Sequence, residues 1–549
     1  MKNGKKKEKD LFWADQIANE TIARAKLEGN KVTCKSAAST SGAKHIGNLY
    51  DVLKAYIVYK AVRRKEYPAR IILIHDDRDP LRTVPSRLSG LDGKWKIIDK
   101  ELEKAISVYL GFPYFKIPDP FECCDSWAEH FAKVWEDGIE AMGVKEIETY
   151  SNNDLYNKGK MEPYIIKLLE NIELTRKIIQ RFQKTKTKDY IPFDAICENC
   201  GRIIGKAVSF DLKNKTIDYV CEGKSLAGKY TIEGCGHKGT ASFNDGKLPW
   251  SFEWPARCGI FKATFEPFGK EHAEGSWPRC QAIAKEIFKI EPPIPHVYEF
   301  LLINGEKMST RKGNAYITQE ILDIIEPEIF FYFYTKRSKK QRNLDIKNIH
   351  LLVEDFERAE RVYFGLEKVG ERERKNLKRM YETSMPEIPD KPPLRIPYQF
   401  AALIAEECPY DMVNRALELL KASGYIKEKI SKEDLERIEM RLRLAEIWAE
   451  RFAPELKIKI NDAVSDDIKN KLNEKEKESL RVLAKALKKK LTEEELTQKL
   501  YDIAKESGLN KDFFKACYQV LISRESGPRL ASFIIAVGRD RVRKIFEQV

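Results

Sequence analysis

Residues 31–58 read KVTCKSAASTSGAKHIGNLYDVLKAYIV, and their texture changes twice within that span. Lys31 to Ser36 is a short strand-like run, and Ala37 to Lys44 is a loop of small residues. Beyond the loop, Leu49, Val52, Leu53, Tyr56 and Ile57 recur at the spacing of an amphipathic helix. The stretch predicts strand, loop and helix in succession. A second apolar run, Arg70 to Ile74, ends in the acidic turn His75-Asp76-Asp77-Arg78-Asp79-Pro80. Strands alternating with helices imply a parallel α/β sheet of the Rossmann nucleotide-binding type, with its ligand at the carboxyl ends of the strands.

The chain around this stretch has 549 residues, more than the roughly 250–300 at which a single core stops growing, so several domains are expected. Hydrophobic residues make up 42% and charged residues 33%, with no apolar run long enough to span a bilayer, which argues against an integral membrane protein. Met1 to Asp10 is lysine-rich, but no apolar core or cleavage site follows, so a cytoplasmic location is expected rather than secretion. A net charge of +13 suits a polyanionic partner, although a solvated basic surface produces the same number. Eleven cysteines in such a chain point to metal ligands or buried thiols rather than disulfides.

Residues 1–30 are expected to form a basic segment and a helix over Leu11 to Leu27, with Phe12, Trp13, Ile17 and Ile22 on its apolar side. The sheet domain follows over 31–330, interrupted at 190–247 by a cysteine- and glycine-rich inserted module with short β-prone runs. Beyond about Ile329 the chain reads as almost wholly helical. Residues 331–385 are expected to be a helical connective region, and 386–549 a helical C-terminal region behind the proline-rich break Pro386 to Pro397.

Two polar signatures lie within the sheet domain. His45-Ile46-Gly47-Asn48 sits where a loop enters a helix, beside backbone amides and the positive end of a helix dipole, a setting that suits a triphosphate. Gly47 permits close approach of a nucleotide, while His45 and Asn48 are hydrogen-bond donors for an α-phosphate. Asn304 to Asn314, reading NGEKMSTRKGN, places Lys307, Met308, Ser309, Arg311 and Lys312 on a glycine-bounded loop suited to leaving pyrophosphate. Taken singly, the first also reads as a helix-capping loop and the second as a basic surface loop. Their order and local contexts make the nucleotide reading the stronger one.

The pair resembles the two hallmark motifs of class I aminoacyl-tRNA synthetases. Asn48 stands where many members have histidine, a variation known in one subgroup, and Thr310-Arg311 stands where a lysine and a serine are usual. The second departure shifts the cationic role towards Lys307, Arg311 and Lys312. Further stretches look like the class I lysyl-tRNA synthetases: Phe12-Trp13-Ala14-Asp15, Ser39-Thr40-Ser41-Gly42, Asp76 to Arg82, Ile117 to Phe121, Leu248-Pro249-Trp250, Trp254 to Arg257, Glu266 to His272, Tyr298-Glu299-Phe300, Tyr363-Phe364-Gly365 and Gly527 to Leu530.

The resemblance implies a class I synthetase-type Rossmann catalytic domain with a zinc-binding insertion, followed by an all-α, anticodon-reading C-terminal region. It implies lysine, ATP and tRNA(Lys) as substrates, Mg2+ and Zn2+ as cofactors, and formation of lysyl-adenylate before transfer to tRNA. His45, Asn48, Lys307, Ser309, Arg311 and Lys312 would be catalytic, with Ser41, Gly42, Gly47 and Met308 joining His45, Asn48 and Lys307 around ATP. Trp250, His272 and Tyr298, with Ser39, would hold lysine, the aromatic rings against its stem or ammonium. A buried ammonium needs a counter-charge, for which Glu253, Asp76 and Asp77 are the candidates. Ala37 stands where related enzymes tend to have glycine. The rival readings are a glutamyl or cysteinyl synthetase, a nucleotidyltransferase of the same fold, and a non-catalytic tRNA-binding relative.

Cys197-x2-Cys200, Cys221 and Cys235 have the makings of a four-thiolate zinc knuckle, in which the thirteen residues between the last two suggest an inserted hairpin. His237 is the substitute ligand, and a metal-free thiol cluster is the alternative. The family resemblance suggests a second metal at Asp119, Cys123, Cys124 and His130, although adjacent cysteines strain simultaneous ligation. In the helical half, Phe513, Phe514, Tyr518 and Arg529 are candidate stacking contacts for single-stranded RNA bases, with core packing as the alternative.

Overall fold

The structure, a computed structural model, describes residues 12–183, 189–225, 231–308, 314–336, 341–407, 412–422, 426, 430–454, 460–527 and 529–549. Two compact units are present. The first comprises 1–321, 330–345 and 368–388, and the second 322–329, 346–367 and 389–549.

The first unit is built on the predicted strand, loop and helix. After helix α1 (Trp13–Leu27), strand β1 (Val32–Ala38) runs into the loop, a single 3-10 turn at Ile46–Asn48, and helix α2 (Leu49–Arg63). Strand β2 (Ala69–His75) pairs with β1 in parallel from Val32↔Ala69 to Ala38↔His75, and β3 (Ile147–Ser151) continues the sheet beyond β2. Ile71, Ile72, Leu73 and Ile74 are all buried, the pattern of a strand covered on both faces. On the other side of β1 lie β4 (Phe265–Gly269) and then β5 (Ile294–Tyr298), giving the parallel order β5-β4-β1-β2-β3.

The chain thus winds outward from β1 in both directions. Between β1 and β4 the only register pair is Cys34↔Phe265, near the start of both strands. Their carboxyl ends therefore part, and this is the switch point at which a doubly wound sheet opens a crevice.

The inserted module is an antiparallel meander of Gly205–Asp211, Thr216–Val220 and Lys238–Ser242, with a small hairpin pairing Gly223–Ser225 and Thr231–Glu233. It does not fold apart from the sheet: Cys197, Ile217, Tyr219 and Cys221 share one buried cluster with Ile72 and Ile74.

The described residues beyond Ile329 are almost wholly helical, as expected, apart from one short strand at Arg342–Leu344. This strand pairs in parallel with Leu301–Ile303 and accepts the amide of Asn304 at Leu344 O, while the amide of Gly305 donates to Asn343 Oδ1 at 2.7 Å. Three residues carry no periodicity, so only these long-range bonds reveal the strand. It braces the turn that leads into Lys307. The expected connective region 331–385 is divided between the two units.

The second unit is helical, with Tyr398–Glu407, Lys432–Phe452, Glu474–Ala486, Glu493–Glu506, Lys511–Ile522, Leu530–Val537 and Arg539–Phe546 among its helices. Its buried Arg441 donates to Glu326 and Glu357 and to the carbonyl of Ile396, so the end of the proline-rich segment is tied down rather than loose. Phe513 and Tyr518 are buried, which places them in the core rather than at an RNA surface, whereas Phe514 is half-buried and packs on the exposed Tyr501.

A long-range anchor holds α2. Lys54 is fully buried, and its Nζ donates to the carbonyls of Tyr334 and Lys336 at 2.7 Å each, at the end of the helix Pro327–Thr335. Lys54→Met would leave two helix-end carbonyls without this donor. It is expected to destabilise the first unit by about 2 kcal/mol in urea unfolding, and an unchanged midpoint would refute the anchor.

Candidate functional site

Where β1 and β4 part, a cavity of about 520 Å3 opens at the carboxyl ends of the strands. Ala37 and Ala38 line it from β1, Ser39 from the loop that follows, Asp76 and Asp79 from the turn after β2, Glu266 and Phe268 from β4, and Tyr298 from β5. Of the sequence candidates, His45, Gly47, Asn48, Lys307 and Met308 meet there with Trp250, His272, Tyr298 and Ser39. Ser41 and Gly42 stay outside the lining, and Ser41 instead accepts Lys44 Nζ at 3.3 Å. Ser309, Arg311 and Lys312 lie outside the described residues.

The phosphate-suited end is held by backbone bonds. The Ile46 amide donates to Tyr316 O at 2.9 Å, and Ile46 O accepts the Tyr334 hydroxyl at 2.7 Å. The first signature is thereby fixed to the chain beyond the second. The amide of Gly47 donates to His45 Nδ1 at 3.1 Å, so the neutral ring carries its proton on Nε2. Burial and nearby Lys44 hold the His45 pKa down at about 4, so at neutral pH it is an uncharged donor. A Cβ at Gly47 would lie 2.8 Å from Met308 Cε and 2.9 Å from the His45 ring, which explains the glycine and shows the two signatures in contact. Lys307 Nζ rests 4.0 Å from the centre of the Phe300 ring.

The opposite wall is aromatic. Trp250 stacks on Trp254, His272 packs against both, and Tyr298 stacks on Tyr50. Among the described residues, Trp250 Nε1 is buried without a hydrogen-bond acceptor, so the cavity wall retains an unused donor.

The acids sort by partner. Asp76 is paired with Arg257, Glu266 with Lys35, and Asp79 with Lys247 at 2.9 Å. Glu253 is fully buried, pairs with Lys247, and accepts Tyr156 at 2.8 Å and Asn152 at 3.1 Å. It does not line the cavity, so it is withdrawn as a counter-charge: its carboxylate is already neutralised in the core. Asp77 is likewise absent from the lining, accepting the Asn153 amide at 2.7 Å and the Ser151 hydroxyl.

Sequence reasoning passed over Asp51, in the first turn of α2, and Glu271. Among the described residues these two cavity acids have no ion pair. Asp51 accepts the Tyr298 hydroxyl at 2.5 Å, and its pKa is pushed up to about 7 by burial, against that hydrogen bond and with Glu271 and Glu266 adding to the rise. Lys44, also missed, lines the phosphate end, and burial lowers its pKa to about 8.

Two groups of metal-suited side chains lie away from the cavity, each with its ligand atoms within 4.8 Å of one another. In the first, Cys197 and Cys235 sulfurs are 3.6 Å apart and Cys200 and Cys221 sulfurs 3.8 Å apart, close to the roughly 3.8 Å that tetrahedral zinc–sulfur bonds of about 2.3 Å require. The hairpin between Cys221 and Cys235 closes on itself at Gly223↔Glu233, which brings the distant cysteines together. His237 binds Glu198 at 2.6 Å and is not in the group.

In the second group, Asp119 accepts the amides of Phe121, Cys123 and Cys124, and His130 Nε2 donates to Ser89 O at 3.0 Å, turning its Nδ1 lone pair to the cluster. Cys123 and Cys124 sulfurs are 3.8 Å apart, so the adjacency does not prevent a tetrahedral fit.

Residues 11–387 match the family described as tRNA synthetases class I (K). The chain belongs to this family. A lysine–tRNA ligase from Natronomonas pharaonis is 37% identical over 537 residues, covering 96% of each chain. One from Haloarcula marismortui is 35% identical, covering 98% of this chain and 97% of its own, and one from Methanocaldococcus jannaschii is 33% identical, covering 97% and 98%.

For this synthetase, Gly47→Ala forces Met308 and His45 apart. It is expected to lower the rate of ATP–pyrophosphate exchange at least tenfold with the fold intact by circular dichroism, and a wild-type rate would refute the contact's importance.

Proposed function

We propose that the protein is a lysine–tRNA ligase, joining lysine to AMP at the expense of ATP and passing the lysyl group to the terminal ribose of tRNA(Lys). The carrying observation is the polarity of one cavity: Lys44, His45, Asn48 and Lys307 gather at one end, and Asp51, Glu271 and aromatic rings at the other. Such a cavity suits an anionic nucleotide beside a cationic amino acid. The curated relatives bearing that name support the reading.

In the first step the lysine carboxylate attacks the α-phosphorus of ATP, bound as its Mg2+ complex, and pyrophosphate leaves. The His45 Nε2–H donates to an α-phosphate oxygen as charge grows there, and its neutrality keeps this donor available across the physiological pH range. Lys307, carried on the loop braced by Arg342–Leu344, meets the leaving pyrophosphate. Lys44 adds a charge that fades above about pH 8, so the KM for ATP rises beyond that pH.

Asp51 is the counter-charge for the substrate ammonium, and Tyr298 positions it. A glutamate side chain would instead meet Asp51 and Glu271 with like charge, which disfavours the glutamyl alternative. The Cys197 and Asp119 groups each hold a zinc ion that staples its loops.

Four measurements test this. Amino-acid-dependent pyrophosphate exchange, run with and without tRNA, is expected to select lysine over glutamate and cysteine, and preference for another amino acid would overturn the assignment. Asp51→Asn is expected to raise the KM for lysine about 30-fold or more with a smaller effect on kcat, since it unpairs a buried charge. Because the Asp51 pKa is raised, its charged form is lost as pH falls through about 7, so kcat/KM for lysine falls with it in the wild type. An unchanged KM in the variant would sink the role. Metal analysis is expected to find two zinc ions per chain, reduced by one in Cys200→Ser and by one in Cys124→Ser; unaltered content would refute the ligand sets.

A further inference from the structure

Three consecutive residues on the far side of the cationic run, Asn314, Ala315 and Tyr316, are each tied to a different part of the first unit. Asn314 Nδ2 donates back to Lys307 O at 3.2 Å, drawing the two ends of the run together. Tyr316 O accepts the Ile46 amide, which joins it to the first signature. Between them, Ala315 O accepts a guanidinium N–H of Arg87, a residue 228 positions earlier in the chain. Arg87 does not line the nucleotide cavity, so its contact is with the neck of the run.

We infer that Arg87 is a positioning residue for lysyl-adenylate formation, holding this neck through Ala315 so that Lys307 is presented to the leaving pyrophosphate. The inference rests on the ligase reading and deepens it at the second signature.

Arg87 opens a hairpin of Arg87–Ser89 and Trp95–Ile97, in which Arg87 faces Ile97 and Ser89 faces Trp95. Trp95 is therefore the diagonal neighbour of Arg87 on the same face, and the guanidinium lies 3.8 Å from the centre of its ring. An arginine stacked in this way has lost much of its freedom before it meets the carbonyl, so the bond to Ala315 O costs little further entropy. Among the described residues Arg87 forms no ion pair, and its Nε is buried without an acceptor. Its hydrogen bonding is thus directed at the neck.

The hairpin has a firm seat from which to do this. On the face opposite Arg87, Leu88 is fully buried in a cluster with Ile117 and Trp127, and Ser89 O receives His130 Nε2 at 3.0 Å. At the tip, Gly93 takes a left-handed φ of 74°, and a Cβ there would lie 3.1 Å from Gln319 Cβ. The hairpin is therefore fastened to the body of the unit on one face and meets the chain beyond the second signature at both Ala315 and Gln319. Displacing a catalytic cation by about 1 Å costs on the order of 100-fold in rate, which is the scale of effect available to a residue that acts only through position.

The test compares full-length Arg87→Ala, Arg87→Lys and Trp95→Leu with the wild type in three assays: lysine-dependent pyrophosphate exchange, transfer to tRNA from supplied lysyl-adenylate, and limited digestion with trypsin. Arg87→Ala is expected to lower kcat for exchange about tenfold or more, with the KM for lysine within about twofold of wild type. Transfer from supplied lysyl-adenylate should be unchanged, because pyrophosphate leaves only in the first step. Trypsin should cut after Lys307 several-fold faster in this variant with cleavage elsewhere unaltered, a pattern that general destabilisation does not produce. Arg87→Lys keeps a donor for Ala315 O and should recover most of the lost rate. Trp95→Leu should reproduce the loss in weaker form, and it carries the test if Arg87→Ala does not fold. The inference is overturned if the folded variants keep the wild-type kcat, or if activation and transfer fall equally. If the wild-type enzyme activates another amino acid, the lysine assignment falls while slowed exchange with that amino acid in Arg87→Ala still upholds the role of Arg87; if it activates none, both fall.

Discussion

The backbone of Ile46 is bonded on both sides to chain that lies far away in sequence. Its amide reaches Tyr316 O, and its carbonyl receives the hydroxyl of Tyr334, 288 residues on. A buried peptide group has to find partners, and here neither is local. The loop bearing His45 therefore takes its final shape only once the segments beyond the second signature have packed. Lys54, two turns further along α2, repeats the arrangement by binding the carbonyls of Tyr334 and Lys336. Met308 against Gly47 completes the join. Two signatures some 260 residues apart thus meet in one wall of the cavity.

Within that frame, the cavity's charges are arranged by what has already been neutralised. Arg257, Lys35 and Lys247 rise from the core to occupy Asp76, Glu266, Asp79 and Glu253. These pairs cost desolvation, but they neutralise Asp76, Asp79 and Glu266 at the cavity and leave Asp51 and Glu271 as its acids without an ion pair among the described residues. Asp51 is left with a tyrosine hydroxyl alone. Its position in the first turn of α2 gives its charge support from the helix dipole, while burial opposes that charge. The balance leaves a carboxylate that gains most when an ammonium arrives.

How much of this was legible in the sequence depended on the range of the information. The strand, loop and helix of residues 31–58 follow from local periodicity, and the His45 and Lys307 signatures were identifiable because each is a contiguous run. The strand Arg342–Leu344 was hidden because three residues define no period. Glu253 was misassigned because its partner Lys247 belongs to the end of the inserted module, and nothing in the residue type reveals that the pair closes in the core. Asp51 was overlooked for the converse reason: an acid in a helix first turn is ordinary, and only the fold puts Tyr298 and the cavity in front of it. Phe513 and Tyr518 illustrate the general ambiguity of aromatics, which suit RNA and cores equally until burial decides.

The two metal-suited groups extend the same reasoning to stability. Each offers four protein donors, and a zinc ion so held has no open position for a substrate or water. Neither group lines the nucleotide cavity, so a metal held at either would serve architecture rather than chemistry. Their locations agree with that. The Asp119 group lies on the passage into the helix Trp127–Ala141, where Glu122 adopts a left-handed φ of 58°. The cysteine group ties off a meander whose inner residues continue the core beneath β2. Loosening it would reach Ile72 and Ile74, and through β2 the turn that holds Asp76 and Asp79 at the cavity. A metal staple placed there would support the site at one remove, by keeping the carboxyl end of β2 where Arg257 and Lys247 can meet its acids.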